Sequence, residues 1–582
     1  MRKILLALAC SSALFAGVAN AEAPRVSGEP AWGNEKAAVN NKVRDANYLD
    51  ADTAQLRFSP IAKSRIDAVR ARNSLAETKV LQVGIQRDTS LEGADQRQPV
   101  LLWKTLADGA QVARFAVTSP AAHALRVGLN FNNIPAGAEL RFLGAADGDK
   151  AVAMTQSAEI KRLRREQPVY WTPVTEGEQQ IIEIYLPSGT NVNLLRFTID
   201  SVSHLIVSPY GKLNGAKACN ISTGIDCADT CEIDTKCASQ TTSFINAKNS
   251  VARMVFQSGS SSFLCTGTLL NDLDSRSQTP YFYGANHCIS TQTEASTLTT
   301  FWFYESTSCG SGALSSSSTQ VAGGATLLYN DPARDSLLLR LNNAPPSGAF
   351  FLGWDANPVA AGTSMTVIHH PAGDVKKVSL GQVKGFNNLD LGGSFINVGY
   401  TSASTEGGSS GSGLLTFENN EYFLRGGLQG GSASCSNFGN ANNNGNDDFF
   451  SRFDQAYPSI SQYLAANPDY TGAWFNANES GWGLSVIRGT SGGYGIIMYH
   501  YNQSSSPTWY FMSGGSFSGN TYSSPITLYS GPYFGGPFNP ALVSSPAVGS
   551  VTINFTSATT ATLSYTINGI TVSNKSITKI IF

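Results

Sequence analysis

His287, Asp335 and Ser410 are the residues whose types and spacing could do chemistry. Ser410 lies in Gly407-Gly408-Ser409-Ser410-Gly411-Ser412-Gly413. A serine between glycines on a tight turn exposes its hydroxyl, and the flanking backbone can aim N–H groups at a developing oxyanion. Alone, such a run reads as a flexible loop. His287, in Ala285-Asn286-His287-Cys288, follows the apolar run Tyr281-Phe282-Tyr283, and Cys265 lies upstream. A histidine beside a disulfide is held rigidly, as a general base must be. Asp335 opens the apolar run Ser336-Leu337-Leu338-Leu339, where a carboxylate can be buried and orient an imidazole. Asp331 competes, but beside Pro332 it reads as a turn residue. The chain order His, Asp, Ser is one in which base, orienting acid and nucleophile recur in acyl-transfer sites.

The elements that position such a set belong to an exported, β-rich chain. Residues 2–21 run from Arg2 and Lys3 through an apolar stretch to Ala19-Asn20-Ala21, the pattern of a secretory signal cut after Ala21. Beyond it no run of about 20 apolar residues occurs, so no membrane helix is expected. Without Cys10, eight cysteines remain, all between Cys219 and Cys435, and an even number in an exported chain reads as disulfides. Paired C-x₂-C knuckles are absent, which disfavours zinc, and neither a metal nor a cofactor is expected. Charged residues are only 14%, against about 25% in an average soluble protein. The net charge of -2 gives no basic excess for nucleic acid.

Composition divides the chain. Of the 40 Lys and Arg, 25 fall in residues 1–212 and 15 in the remaining 370. Residues 22–212 lack cysteine; a helix is expected within 54–75, and strands at Pro99–Trp103 and Gln180–Tyr185. Residues 213–465 form the disulfide-stapled unit, with many short strands between Gly, Ser and Asn and a closing helix over Asp454–Leu464. Residues 470–582 are nearly uncharged and rich in Trp, Tyr, Gly and Ser, with Pro468 marking the linker; the tryptophans are read mainly as core.

The middle unit resembles the bacterial lysyl endopeptidases, a branch of the chymotrypsin-like serine peptidases. The matching segments are Cys265-Thr266-Gly267-Thr268-Leu269-Leu270, Asn286-His287-Cys288, Asp335-Ser336-Leu337-Leu338, Ile368-His369-His370-Pro371, Thr405 to Ser412, and Gly430 to Ser436. The resemblance implies two six-stranded β-barrels with the site between them. It makes His287 the base, Asp335 its orienting carboxylate and Ser410 the nucleophile, with the Gly408 and Ser410 N–H groups as oxyanion hole. His369 and His370 are read as structural. Asn446-Asp447-Asp448-Phe449-Phe450-Ser451-Arg452-Phe453 resembles the segment that supplies the counter-charge for a basic side chain, the match falling on Asp448. Gln429 stands where the family carries a histidine that helps select lysine; with Gly430 it is expected to line the substrate site. Gly413 stands where the family has proline.

The expectation is therefore a mainly β secreted serine endopeptidase, built as a chymotrypsin-like double barrel. A mostly β pro-domain precedes it and a β domain follows. It would cleave after Lys and Arg, with Lys favoured, through an acyl-enzyme, acting as a monomer on protein or peptide substrates. Its own propeptide would serve as chaperone and inhibitor, removed by cleavage after Lys212 or Lys217. The expected disulfides are Cys265–Cys288, Cys219–Cys435, and one joining Cys309 to the cluster Cys227, Cys231 and Cys237, with Cys237 the first choice. The alternative is an inactive or glycan-binding adhesion protein on the same scaffold.

Overall fold

The computed structural model describes residues 23–32, 42–48, 52–75, 78–89, 98–145, 151–164, 168–207, 228–274, 278–311, 313–465, 470–489, 493–518, 520–533, 535–536 and 538–580. The signal segment, Ala21, Lys212, Lys217, Cys219, Cys227 and Pro468 lie outside the described residues.

Residues 251–450 form two barrels. In the first, antiparallel strands Val251–Ser258, Ser261–Leu270, Tyr281–Gly284 and Ser336–Leu341 pair in sequence around the sheet, with Thr299–Trp302 on the Val251 side. The ring closes through one bent strand: Thr319–Val321 pairs with Thr299–Trp302, and Ala325–Asp331 pairs with Ser336–Leu341. The bend needs glycine. Gly324 sits at φ +72°, and a Cβ there would lie 2.3 Å from the Ser296 carbonyl oxygen. The second barrel is a closed ring of six: Glu421–Gly431, Gly413–Glu418, Ser364–His369, Lys377–Asn388, Ser394–Ser402 and Asp448–Phe450, the last pairing with both Ser394–Ser402 and Glu421–Gly431. Alternation along these strands turns Cys265, Phe282, Leu337 and Leu339 into one interior and Val367, Val398, Tyr400 and Leu414 into the other. The helix Phe453–Leu464 closes the unit, burying Phe453, Ala456, Ile460 and Leu464.

The preceding unit is a sandwich. A sheet of Ala54–Arg57, Gln111–Thr118, Gln179–Leu186, Glu139–Gly144 and Ala153–Gln156 packs over Ala124–Asn133 and Arg196–Leu205, with Phe115, Phe131, Phe142 and Ile184 between them. The expected helix is Lys63–Leu75, but 54–57 is a strand. Pro99–Trp103 is not a strand: Leu102 O accepts from the Tyr48 hydroxyl, 54 residues earlier in the chain, while Leu101 and Trp103 pack on the core. Strand Leu81–Asp88 joins the units. It pairs with Arg196–Leu205 on one side and Ser261–Leu264 of the first barrel on the other. The first described residues also leave the sandwich: Arg25–Val26 and Glu29–Pro30 pair with strands at 354–355 and 350–351.

Residues 470–580 form a further closed β-barrel, shut by pairing of Pro507–Ser513 with Thr521–Leu528. Trp474 is in its core; Trp509 is exposed and stacks on Tyr529. Among the described residues no helix is long and apolar enough to cross a membrane.

Candidate active site

The cleft between the two barrels gathers residues from both. From the first, the Cys265–Cys288 disulfide ties the turn after Tyr281–Gly284 to the neighbouring strand. Between them His287 is fixed from two sides. Its backbone N–H donates to Asp335 Oδ1 at 2.8 Å, and its ring Nδ1 lies 2.7 Å from Asp335 Oδ2. Asp335 is buried and sits at φ +50°, a left-handed backbone that a residue other than glycine holds only under constraint. A carboxylate can only accept, so Nδ1 carries the proton and Nε2 is left as a base. Nε2 lies 2.7 Å from Ser410 Oγ, the geometry for taking the hydroxyl proton.

Ser410 comes from the second barrel, on a turn that hydrogen-bonds within itself and to both barrels. Ser409 N–H donates to Glu406 O, Gly411 N–H to Leu428 O, and Thr266 N–H to Ser410 O. Gly408 at φ +97° brings its backbone against His370; a Cβ there would sit 2.7 Å from His370 O. The neighbouring serines are used otherwise. Ser379 Oγ donates to Ser404 O, so it accepts from His369 Nε2; the other ring nitrogen then accepts from Ser409 Oγ at 2.8 Å. Burial pushes the His369 imidazole down to about 3, which keeps it neutral in this role. His370 Nδ1 bonds Asp374 O.

The site is filled by the chain itself. The Gly408 and Ser410 N–H groups converge on one carbonyl oxygen, that of Lys79, at 2.5 and 3.3 Å. The Lys79 side chain enters a pocket of the second barrel whose floor is the fully buried Asp448. Its Nζ donates to Asp448 Oδ1 and Oδ2 at 2.8 and 3.0 Å, to Thr405 O and Oγ1, and to Ala433 O. Asp448 is further held by the hydroxyls of Tyr400 and Thr405. Gly431, at φ +156°, leaves room for it: a Cβ would lie 2.6 Å from Asp448 Oδ1. Asp447 points elsewhere, to Lys384. Gly430 forms an antiparallel bridge with Thr78; Gln429 is partly exposed and supplies none of the partners of the Lys79 ammonium.

One expected disulfide is corrected. Cys435 pairs with Cys231, not Cys219. The turn at 228–232 lies along the Ser410 loop and the neighbouring turn, with Asp229 N–H on Glu406 Oε1 and Ala228 N–H on Asp374, and this brings Cys231 within reach. Cys309 pairs with Cys237, which the Asp234 carboxylate sets in place by bonding Ser306 Oγ and Gly310 N–H. Sequence reasoning missed Tyr400, Thr405 and Lys79. Lys79 is one of 25 basic residues in residues 1–212, and nothing local sets it apart.

The chain matches two family models, the lysyl endopeptidase N-terminal domain over residues 57–206 and the lysyl endopeptidase C-terminal domain over 225–451. It is 38% identical over 397 residues to a lysyl endopeptidase of Pseudomonas aeruginosa, covering 66% of this chain and 81% of that one. A secreted RxLR effector protein of Plasmopara viticola is 26% identical over 268 residues, 43% of this chain and 62% of that protein. Among solved structures, a protease of M. tuberculosis in its active form aligns with TM-score 0.26 and 16% identity, over 40% of this chain and 91% of that one. A thermostable serine protease from an extremophilic microorganism aligns with TM-score 0.26 and 13% identity, over 38% and 97%. From the sequence matches over both units, the chain belongs to the lysyl endopeptidase family and is a serine endopeptidase.

Proposed function

We propose that this enzyme is exported as a zymogen and hydrolyses peptide bonds after lysine, with arginine as a second choice. The observation that carries the specificity is a lysine ammonium seated on the buried Asp448 carboxylate, with Thr405 and Ala433 completing its acceptors. A basic side chain entering such a pocket needs a counter-charge, and one left unpaired costs about 3–5 kcal/mol.

In the proposed mechanism His287 Nε2 takes the Ser410 proton as Oγ attacks the substrate carbonyl carbon. The oxyanion forms where the Gly408 and Ser410 N–H groups converge, and each such donor contributes roughly 10²–10³ in rate. His287 then gives the proton to the leaving amine, and water hydrolyses the ester by the same route in reverse. Asp335 holds the imidazole in the needed tautomer and stabilises the imidazolium. Release of the mature enzyme would follow cleavage after Lys212 or Lys217, giving a start at Leu213 or Ala218.

Mapping the peptides that the purified mature enzyme makes from a denatured proteome tests the specificity. Lysine before the cut in most products is the expected result; apolar residues there would end the pocket assignment. Fluorophosphonate labelling confined to Ser410 tests the nucleophile.

A further inference from the structure

The segment on either side of Lys79 is built to stay where it is. Before it, helix Lys63–Leu75 packs on strand Leu81–Asp88, and Asn73 clamps the strand with two bonds, its Oδ1 accepting from Gln82 N–H and its Nδ2 donating to Gln82 O. Arg72 lies over the Phe263 ring of the first barrel, 4.8 Å from its centroid. After it, Leu81 and Gln82 pair with Leu264 and Phe263, and Leu81 is buried against Leu264. Gln82 Nε2 also donates to Ser261 Oγ. Upstream of the lysine, Thr78 bridges to Gly430. Both flanks of the Lys79–Val80 peptide bond are thus attached to the peptidase barrels, one flank to each barrel. Between them the Lys79 carbonyl lies in the oxyanion hole and its ammonium on Asp448.

We propose that residues 78–82 are a built-in, substrate-like inhibitor, with Lys79 in the specificity pocket and Lys79–Val80 as the bond presented to Ser410. This rests on the reading of Ser410 as nucleophile and Asp448 as pocket floor. Attack by Ser410 Oγ would make the Lys79 ester and pass the serine proton through His287 to the Val80 nitrogen, breaking the peptide bond. The new Val80 amine begins a strand held in a sheet on both sides, so it stays beside the ester. It re-forms the peptide bond and returns the hydroxyl to Ser410 faster than water can enter. A clamped leaving group therefore makes a good ligand and a poor substrate. Inhibition ends when the whole preceding unit departs, not when this bond is cut.

The test uses the full chain and a fluorophosphonate probe, with intact and mature bands resolved on a gel. In wild type the intact band should label at least tenfold more slowly than the mature band of the same preparation. In Lys79→Gln, close to lysine in length but uncharged, the intact band should label at least tenfold faster than wild-type intact chain. A wild-type intact band labelling as fast as the mature one overturns the proposal without recourse to any variant. So does a folded Lys79→Gln chain that remains as slow as wild type. A mature band that does not label sinks the serine-nucleophile reading, and the inhibitor with it; labelled mature enzyme beside equally labelled intact chain sinks the inhibitor alone.

Discussion

Asp335 grips His287 at two points, Oδ1 on its backbone N–H at 2.8 Å and Oδ2 on its ring Nδ1 at 2.7 Å. One carboxylate thereby sets both the loop that carries the imidazole and the tautomer of the ring. An amide in its place could keep one bond but not both roles. Asparagine tolerates the left-handed backbone of this position, so the fold of Asp335→Asn should survive. Its kcat at neutral pH should fall about 10⁴-fold, the cost of the wrong imidazole tautomer in such a triad. A loss below tenfold in the purified mature variant would show that the carboxylate does not set the tautomer.

The three serines of the Ser410 loop should respond differently. Ser410→Ala should lower kcat by about 10⁶. Ser409→Ala removes a buried bond to His369 and should cost about 1–3 kcal/mol of stability with kcat within tenfold of wild type. The Ser412 hydroxyl is buried with no hydrogen-bond partner among the described residues, so Ser412→Ala should be near neutral in both. Thermal melts and lysyl-ester kinetics on the three variants decide this; a dead Ser409→Ala with active Ser410→Ala would move the nucleophile by one residue.

Asp448→Asn should strand a basic substrate side chain and lower kcat/KM on lysyl substrates by roughly 10²–10³ or more, while apolar substrates lose far less. Asp447→Asn, whose partner is Lys384 outside the pocket, should change kcat/KM little. Comparing the two variants on matched lysyl and leucyl peptides is the measurement, and equal losses on both substrates would contradict a charge role for Asp448.

Glu232 carries a pH dependence of stability. Burial, with the Glu406 charge second, holds its carboxyl well above its ordinary 4.5. The His369 ring 3.6 Å away is neutral and offers no counter-charge. The folded state therefore binds this proton more tightly than the unfolded chain. The contribution to stability is complete below about pH 4.5 and is lost as pH rises toward the folded value. In a Ser410→Ala background, which prevents self-digestion, Glu232→Gln should gain in Tm relative to its parent as pH is raised from 4 to 8. A difference that stays flat over that range would mean that Glu232 ionises normally.

How far the sequence alone reaches depends on whether the information is local. The turn around Ser410 was legible because Gly408 and Gly411 hold positive φ, and the barrels because alternation and turn residues recur strand by strand. His287 and Asp335 were legible as types at the mouths of apolar strands. What tertiary structure decided was which distant groups meet. Cys231 rather than Cys219 reaches Cys435 because the 228–232 turn packs on the Glu406 loop. Tyr400 and Thr405 turn into the pocket through closure of the second barrel, 48 and 43 residues from Asp448 along the chain. Lys79 meets Asp448 across 369 residues, through a strand that two units share. A pairing set by the packing of one domain on another leaves no pattern in either segment by itself, because each residue's neighbours in sequence are indifferent to the contact.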